Sequence, residues 1–284
     1  MLRTTSVRVL DDRDLPEVRE LLAGDATANV FVTSRLEAAG LDPWRLGAEV
    51  WGFAQGGRLV ALCYAGSNLV PVAGARDDVE AALAGFAERA RRQGRRCSSI
   101  VGPATLVDPL WRLLEPRWGP AREVRHRQPL MAIWSAPRVP PDLAVRRVRP
   151  DELDTVLPAC VAMFTEEVGV SPTAGDGGAL YRARVAELIA QGRAFARIED
   201  DRVLFKAELG AVTPAVCQVQ GVWVDPALRG RGLSVGGMAA VVDGALRSVA
   251  PVVSLYVNDF NAPARAAYDR VGFADVGMFM SVLF

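Results

Sequence analysis

Residues 222–242 read V-W-V-D-P-A-L-R-G-R-G-L-S-V-G-G-M-A-A-V-V. An apolar strand ends at Asp225-Pro226, a glycine-rich turn follows, and a helix opens whose apolar residues Val235, Ala239, Val242, Leu246 and Val249 recur at helical spacing. Gly230 and Gly232 let the backbone approach an anion closely, and the free amides and dipole of the helix start favour negative charge there. Arg229 and Arg231 add positive charge, so a diphosphate is the natural occupant. Spacing separates the loops that could hold one. The P-loop pattern G-x-x-x-x-G-K-[S/T] is absent. A dinucleotide fingerprint needs G-x-G-x-x-G, but Gly236 falls one residue late and no acidic residue stands about twenty positions onward to hold a ribose. What remains is R-x-x-G-x-S, from Arg229 to Ser234.

Some thirty residues downstream the chain reads S-L-Y-V-N-D-F-N-A-P-A-R-A-A-Y-D-R-V-G-F, residues 254–273. Asn261 suits a helix N-cap, Pro263 the first turn, and Gly272 the stop. Ala264, Tyr268 and Val271 share one helical face, which makes a packed core tyrosine the plain structural reading of Tyr268. The two stretches, in this order, resemble the two signatures of GNAT acetyltransferases, Q/R-x-x-G-x-G/A and L-x-V-x-x-x-N-x-x-A-x-x-x-Y-x-x-x-G-F. Ser234 is a small departure at the last position of the first. The resemblance covers residues 143–284, and the whole chain looks like bacterial proteins that carry a degenerate GNAT-like module ahead of the working one.

The resemblance implies acetyl-CoA as cosubstrate and a primary amine as acceptor, in a small molecule, a peptide or a protein lysine. It places the pantetheine arm along Val222, Trp223 and Val224. The diphosphate would lie on the amides of Gly230, Arg231, Gly232, Leu233 and Ser234, with Arg229 beside it. Asn261 would reach the cofactor arm, and Tyr268 would act as general acid at the thioester sulfur. A lysine-like amine must also lose a proton, at a cost of roughly 4 kcal/mol at neutral pH. The strand C-Q-V-Q-G-V-W-V carries Gln218 and Gln220 where many relatives place a carboxylate, and glutamine cannot take that proton. Glu208 on the preceding strand is the candidate base, with Glu166 or Glu167 after the first helix as others. Against these roles, Glu208 could simply pair with Lys206, and the other two could solvate a loop.

At 284 residues the chain suits two domains, each able to bury a core. Three prolines in S-A-P-R-V-P-P-D set the cut, giving residues 1–134, a linker at 135–142, and 143–284. Both halves follow one order. The first half reads strand, helix from Asp14 to Leu22, helix from Asn29 to Ala39, then a hairpin about Gln55-Gly56-Gly57 and the strand N-L-V-P-V-A. A helix from Asp77 to Gln93, the strand C-S-S-I-V-G, a helix from Leu106 to Leu114 and the strand P-L-M-A-I-W complete it. The second half gives a strand, a helix from Asp151 to Phe164, a glycine-rich loop, a helix from Ala179 to Ala190 and a hairpin across Asp200-Asp201. The strand C-Q-V-Q-G-V-W-V then leads into the phosphate loop. The expected fold is therefore mixed α/β, two tandem GNAT-like domains, each a mixed central sheet flanked by helices. In the first half Asp77 and Asp78 stand where the phosphate loop would be, so no CoA site is expected there.

Lys plus Arg and Asp plus Glu are equal at 33 each, so no global basic field draws nucleic acid. The cluster Arg89, Arg91, Arg92, Arg95 and Arg96 reads first as a solvated helix end, where cations suit the dipole. Four scattered cysteines, no C-x-x-C and one histidine, His126, argue against a metal site. No secretory apolar region opens the chain and no run spans a bilayer, which points to a cytoplasmic protein without membrane partners. Two rival functions fit less well: a CoA-binding regulator without catalysis, suggested by the missing strand carboxylate, and an aminoacyl transferase of duplicated GNAT fold using charged tRNA.

Overall fold

Gly56 and Gly57 sit at φ 63° and 83°, the left-handed pair that a tight two-residue hairpin needs. They join strand β2 (Glu49–Gln55) to β3 (Arg58–Ala65). Asp200 and Asp201, at φ 48° and 58°, make the matching turn later in the chain. The computed structural model describes residues 7–74, 79–174 and 177–284. It resolves into two compact units, one of Met1–Leu130, Tyr256–Phe260 and Asp275–Phe284, the other of Met131–Leu255 and Asn261–Ala274.

The first unit runs β1 (Val7–Val9), α1 (Leu15–Ala23), α2 (Val30–Ala39), α3 (Pro43–Leu46), β2, β3, β4 (Asn68–Ala73), α4 (Val79–Gln93), β5 (Ser99–Pro103) and α5 (Ala104–Trp118). It also takes most of β6 (Glu123–Ile133) and the last strand, β12 (Ala274–Leu283). Strands β1 to β4 form an antiparallel meander, β5 lies parallel to β4, and β12 pairs antiparallel with β5 from Phe279↔Pro103 to Leu283↔Ser99. Side chains alternate across this sheet. Trp51, Phe53, Ala61, Cys63 and Leu69 pack with α4 and α5, whereas Val50, Leu62, Tyr64, Val70 and Val72 pack with α1 and α2.

The second unit repeats the plan with β7 (Arg146–Arg147), α6 (Leu153–Val168), α7 (Ala179–Ala190), β8 (Ala194–Glu199), β9 (Arg202–Val212), β10 (Cys217–Val224), α8 (Leu233–Ser248), β11 (Val253–Tyr256) and α9 (Ala262–Val271). Strands β7 to β10 are antiparallel and β11 is parallel to β10. Val156, Ala159 and Cys160 of α6 and Val185 and Ile189 of α7 pack against Ala196 and Val203. On the strands' other face α8 comes close at Gly237, where a Cβ would lie 2.8 Å from the Phe205 ring.

Several elements differ from the sequence reading. The buried face of α8 is centred on Met238, Val241, Val242 and Ala245, because the helix turns its small Gly237 to Phe205; Val235, Leu246 and Val249 are only partly buried. Helix α5 starts before and ends beyond the expected span, carrying Pro109 and Pro116 inside it. Helix α6 reaches Val168 and stops at Gly169, φ 77°, so Glu166 and Glu167 are helical. The short α3 was not foreseen. Asp77 and Asp78 lie outside the described residues. The proline-rich stretch 135–142 falls inside the second unit, and the final ten residues fall in the first, because strand pairing rather than chain order assembles each sheet. Within that stretch Asp142 is fixed: its amide donates to Gly236 at 3.0 Å and its carboxylate pairs with Arg197 at 2.9 Å.

Candidate functional site

Strand β10 is held by β9 along one edge, while its ladder to β11 pairs only Cys217↔Val253 and Gln218↔Ser254. Beyond Gln218 the two parallel strands part. A bulge between Gln220 and Trp223, with Gly221 at φ 62°, re-aims the strand at this point. Gly221 is fixed by space as well as by conformation, since a Cβ there would lie 3.0 Å from Met163 Cε and 3.1 Å from Glu208 Cδ. Val222, Trp223 and Val224 follow, half-buried, along the opened edge.

At the end of β10, Asp225 caps a turn of 3₁₀ helix over Pro226–Leu228 by accepting from Ala227 N at 3.0 Å. Arg202 pairs with the other oxygen of Asp225 at 2.5 Å and holds its carboxyl below the usual range. Gly230 and Gly232 then adopt φ 78° and 80°, and a Cβ at either would meet nothing within 4 Å. Gly232 is the N-cap of α8 and supplies no side chain to it. The amides of Arg231, Gly232, Leu233 and Ser234 donate to no acceptor among the described residues. Open space in front of unclaimed amides at a sixteen-residue helix start is an anion cradle.

Arg229 does not point freely into this cradle. Its Nε donates to Val224 O at 3.1 Å and its Nη2 pairs with Glu166 at 2.7 Å, while Trp223 Nε1 donates to the other oxygen of Glu166 at 3.4 Å. The last turn of α6 is thereby tied to the loop. This use of Glu166 was not foreseen; Gly169, a helix stop three residues on, was the signal that Glu166 is helical.

Asn261 is exposed and caps α9, its Oδ1 accepting from Ala264 N at 3.3 Å. Tyr268 lies on the buried face of that helix, 6% exposed, its ring 5.9 Å from that of Phe273. Burial, and secondarily the carboxylate of Glu167, push its hydroxyl above the ordinary tyrosine range, so it keeps its proton at neutral pH. Such a group can donate a proton and cannot serve as a base.

Glu208 lies on β9 beside the bulge, buried. Lys206 Nζ donates to its Oε2 at 3.2 Å and to Cys160 Sγ at 3.4 Å, and Gln220 Nε2 donates to its Oε1 at 3.2 Å. The Gln220 amide crosses the space above Gly210, where any Cβ would collide with it. Burial works against a charge on Lys206, yet Glu208 and then Cys160 raise its pKa above the ordinary lysine value. The pairing of Glu208 with Lys206 is thus present, and both carboxylate oxygens are engaged. A cavity of about 10 Å³, too small for an acceptor, lies beside this cluster. The described residues contain no cluster of potential metal ligands, and no described helix is long and apolar enough to cross a membrane.

The sequence profile of the acetyltransferase (GNAT) family matches residues 179–273, and that of a domain of unknown function (DUF4081) matches residues 48–156. Among solved structures, a GNAT acetyltransferase from Colwellia psychrerythraea is 12% identical, with 98% of this chain and 99% of that chain covered and a TM-score of 0.58. A GCN5-related N-acetyltransferase from Sphaerobacter thermophilus is 17% identical over 98% and 95%, TM-score 0.60. A tandem GNAT protein from the clavulanic acid biosynthesis pathway is 18% identical over 98% of each chain, TM-score 0.54. No curated protein matches.

Proposed function

Because residues 179–273 form a GNAT-family domain in a chain that carries a tandem GNAT-like fold throughout, we propose that the protein is an acyltransferase that moves the acetyl group of acetyl-CoA to a primary amine. The observation that carries this reading is the cradle at Gly230–Ser234, open and lined by unclaimed amides, at the end of the strand edge that β11 leaves free.

Acetyl-CoA supplies the activated thioester. The amides of residues 230–234 hold its diphosphate, and the freed edge at Val222, Trp223 and Val224 orients its arm. Tyr268 keeps a proton at its hydroxyl for the departing thiolate. Asn261 acts on the cofactor arm only through the turn it caps. Glu208 is the carboxylate next to the bulge, but with Lys206 and Gln220 on its two oxygens it serves as a base only if that pairing loosens. The first unit is assigned to shaping or stabilising the protein rather than to binding acetyl-CoA.

The test is release of free thiol from acetyl-CoA across a panel of amines, alongside calorimetric binding of acetyl-CoA. Amine-dependent thiol release supports the reading. The engaged state of Glu208 favours one alternative, a CoA-binding regulator; tight acetyl-CoA binding with no amine-dependent turnover would establish that instead. Binding of charged tRNA without acetyl-CoA binding would point to the aminoacyl transferase.

A further inference from the structure

Half of the chain's six tryptophans line one cleft in the first unit. Its volume is about 400 Å³, within the range of small-ligand sites. It opens where β2 begins and β3 ends, beside Asn68↔Ser99, the end at which β4 and β5 are still paired. The last turn of α4 lines it, so it lies at the opposite end of that helix from the position that the diphosphate loop takes before α8 in the second unit.

Trp51 lies buried at the base of the cleft, Trp118 is half-buried, and Trp44 stands 96% exposed on the four-residue α3. The Trp44 indole is therefore free to stack on a ligand in the cleft. Glu49 Oε2 accepts from Trp51 Nε1 at 2.7 Å, Gln93 Nε2 at 3.1 Å and Arg89 at 3.2 Å. Its Oε1 has no partner among the described residues. Burial acts to raise the pKa of this carboxyl, and the three donors more than offset that, leaving it charged. The indole nitrogen of Trp118 is buried without a partner among the described residues.

The arginine cluster read from the sequence as a helix end reaches the cleft through Arg89 and Arg96. Arg89 is committed to Glu49, Arg92 pairs with Glu88 at 3.0 Å, and Arg95 lies 4.6 Å over the Phe284 ring. Arg91 and Arg96 are exposed, and Arg96 lines the cleft. Glu49 and Arg96 are the charged residues that line the cleft, and Glu49 is already paired with Arg89, so the uncommitted charge there is positive although the chain is neutral. A simple cation is therefore the wrong guest, despite the indoles. An exposed indole for stacking at Trp44, one accepting oxygen on Glu49 and the cation of Arg96 make the combination that receives a nucleobase and its phosphate.

We propose that this cleft binds a nucleotide, with the base stacked on Trp44 and donating an N–H to Glu49 Oε1, and the phosphate on Arg96. The site does not depend on the acyl-transfer reading of the second unit. Its size admits one nucleotide, either free or at an exposed position of a single strand.

Calorimetric titration of the full chain with AMP, adenosine, inorganic phosphate, choline and a short RNA oligonucleotide tests this. AMP should saturate, adenosine should bind at least ~10-fold more weakly, and phosphate alone should show no saturation. Stacking is worth roughly 1–3 kcal/mol per base, so Trp44→Ala should weaken AMP by about 5- to 150-fold. Arg96→Glu should weaken AMP and leave adenosine unaffected; both positions are exposed, so neither change threatens folding. Gly232→Asp, which alters the other unit, should leave AMP binding unchanged. Tighter binding of the oligonucleotide than of AMP assigns the ligand to a single strand, and the reverse assigns it to a free nucleotide. The proposal is overturned if no probe saturates, if choline binds in preference to AMP, or if AMP binding survives Trp44→Ala but is lost in Gly232→Asp.

Discussion

Tyr268 is the residue on which packing and chemistry compete most directly. Its helix face buries it, as its spacing from Ala264 and Val271 suggested, and the same burial holds the proton that an acid must give. Tyr268→Phe keeps the ring and removes only the hydroxyl. It should lower kcat by about 10- to 1000-fold with acetyl-CoA affinity nearly unchanged, measured by steady-state kinetics beside a direct titration. An unaltered kcat with a lower melting temperature would make it a packing residue. Gly232 gives the complementary case: it is open to the cradle and in a left-handed conformation that side chains rarely adopt. Gly232→Asp adds bulk, negative charge and a strain of about 1 kcal/mol, and should weaken acetyl-CoA at least ~10-fold while the far-ultraviolet spectrum stays native. Both positions were legible because a motif fixed them. The partners of Glu208 were only half legible: Lys206, two residues away on one strand face, could be anticipated, but Gln220 reaches it only because Gly210 leaves room, a relation across strands that no local pattern carries.

Among the elements, the entry to α6 shows how a short strand is joined to a helix. Glu152 accepts from Arg146 at 2.6 and 2.8 Å, from Arg149 Nη2 at 2.9 Å and from the Arg149 amide at 2.8 Å. Chiefly through the Arg146 bonds, its pKa falls from 4.5 to about 2. The sign follows from linkage: a depressed carboxyl stabilises the fold above its unfolded value, and the benefit is lost as pH falls towards about 2. Glu152→Gln should cost about 1–2 kcal/mol at neutral pH in a urea titration, and the gap should close as pH drops below ~4.5. A constant gap across that window would assign the loss to shape rather than charge. Most element types were readable because the short apolar runs of β2, β3 and β9 and the turns Gly56-Gly57 and Asp200-Asp201 are local signals. The boundaries of α5 and the buried face of α8 were not, since tertiary packing tolerates Pro109 and Pro116 and draws Gly237 onto Phe205.

For the whole molecule, the proline-rich stretch suggested two consecutive domains, whereas the compact units interleave in sequence. Pairing over long separations is invisible to local periodicity, and β12 is the case in point. It pairs with β5 at five positions and gives Met280 and Val282 to the core shared with α4 and α5. Ending the chain at Ala274 should therefore unfold the first unit, seen as lost protection of α4 and α5 amides in hydrogen exchange; a native pattern there would show β12 to be dispensable. The proposed division of labour predicts one tight acetyl-CoA per chain by calorimetry, and two equal sites would refute it. The place of β12 also bears on how the protein is made. Ser99 must wait for Leu283, so the first sheet stays open at β5 until residues 279–283 have left the ribosome. Until then the nascent N-terminal half presents an unpaired strand edge, the kind of surface that chaperones shield.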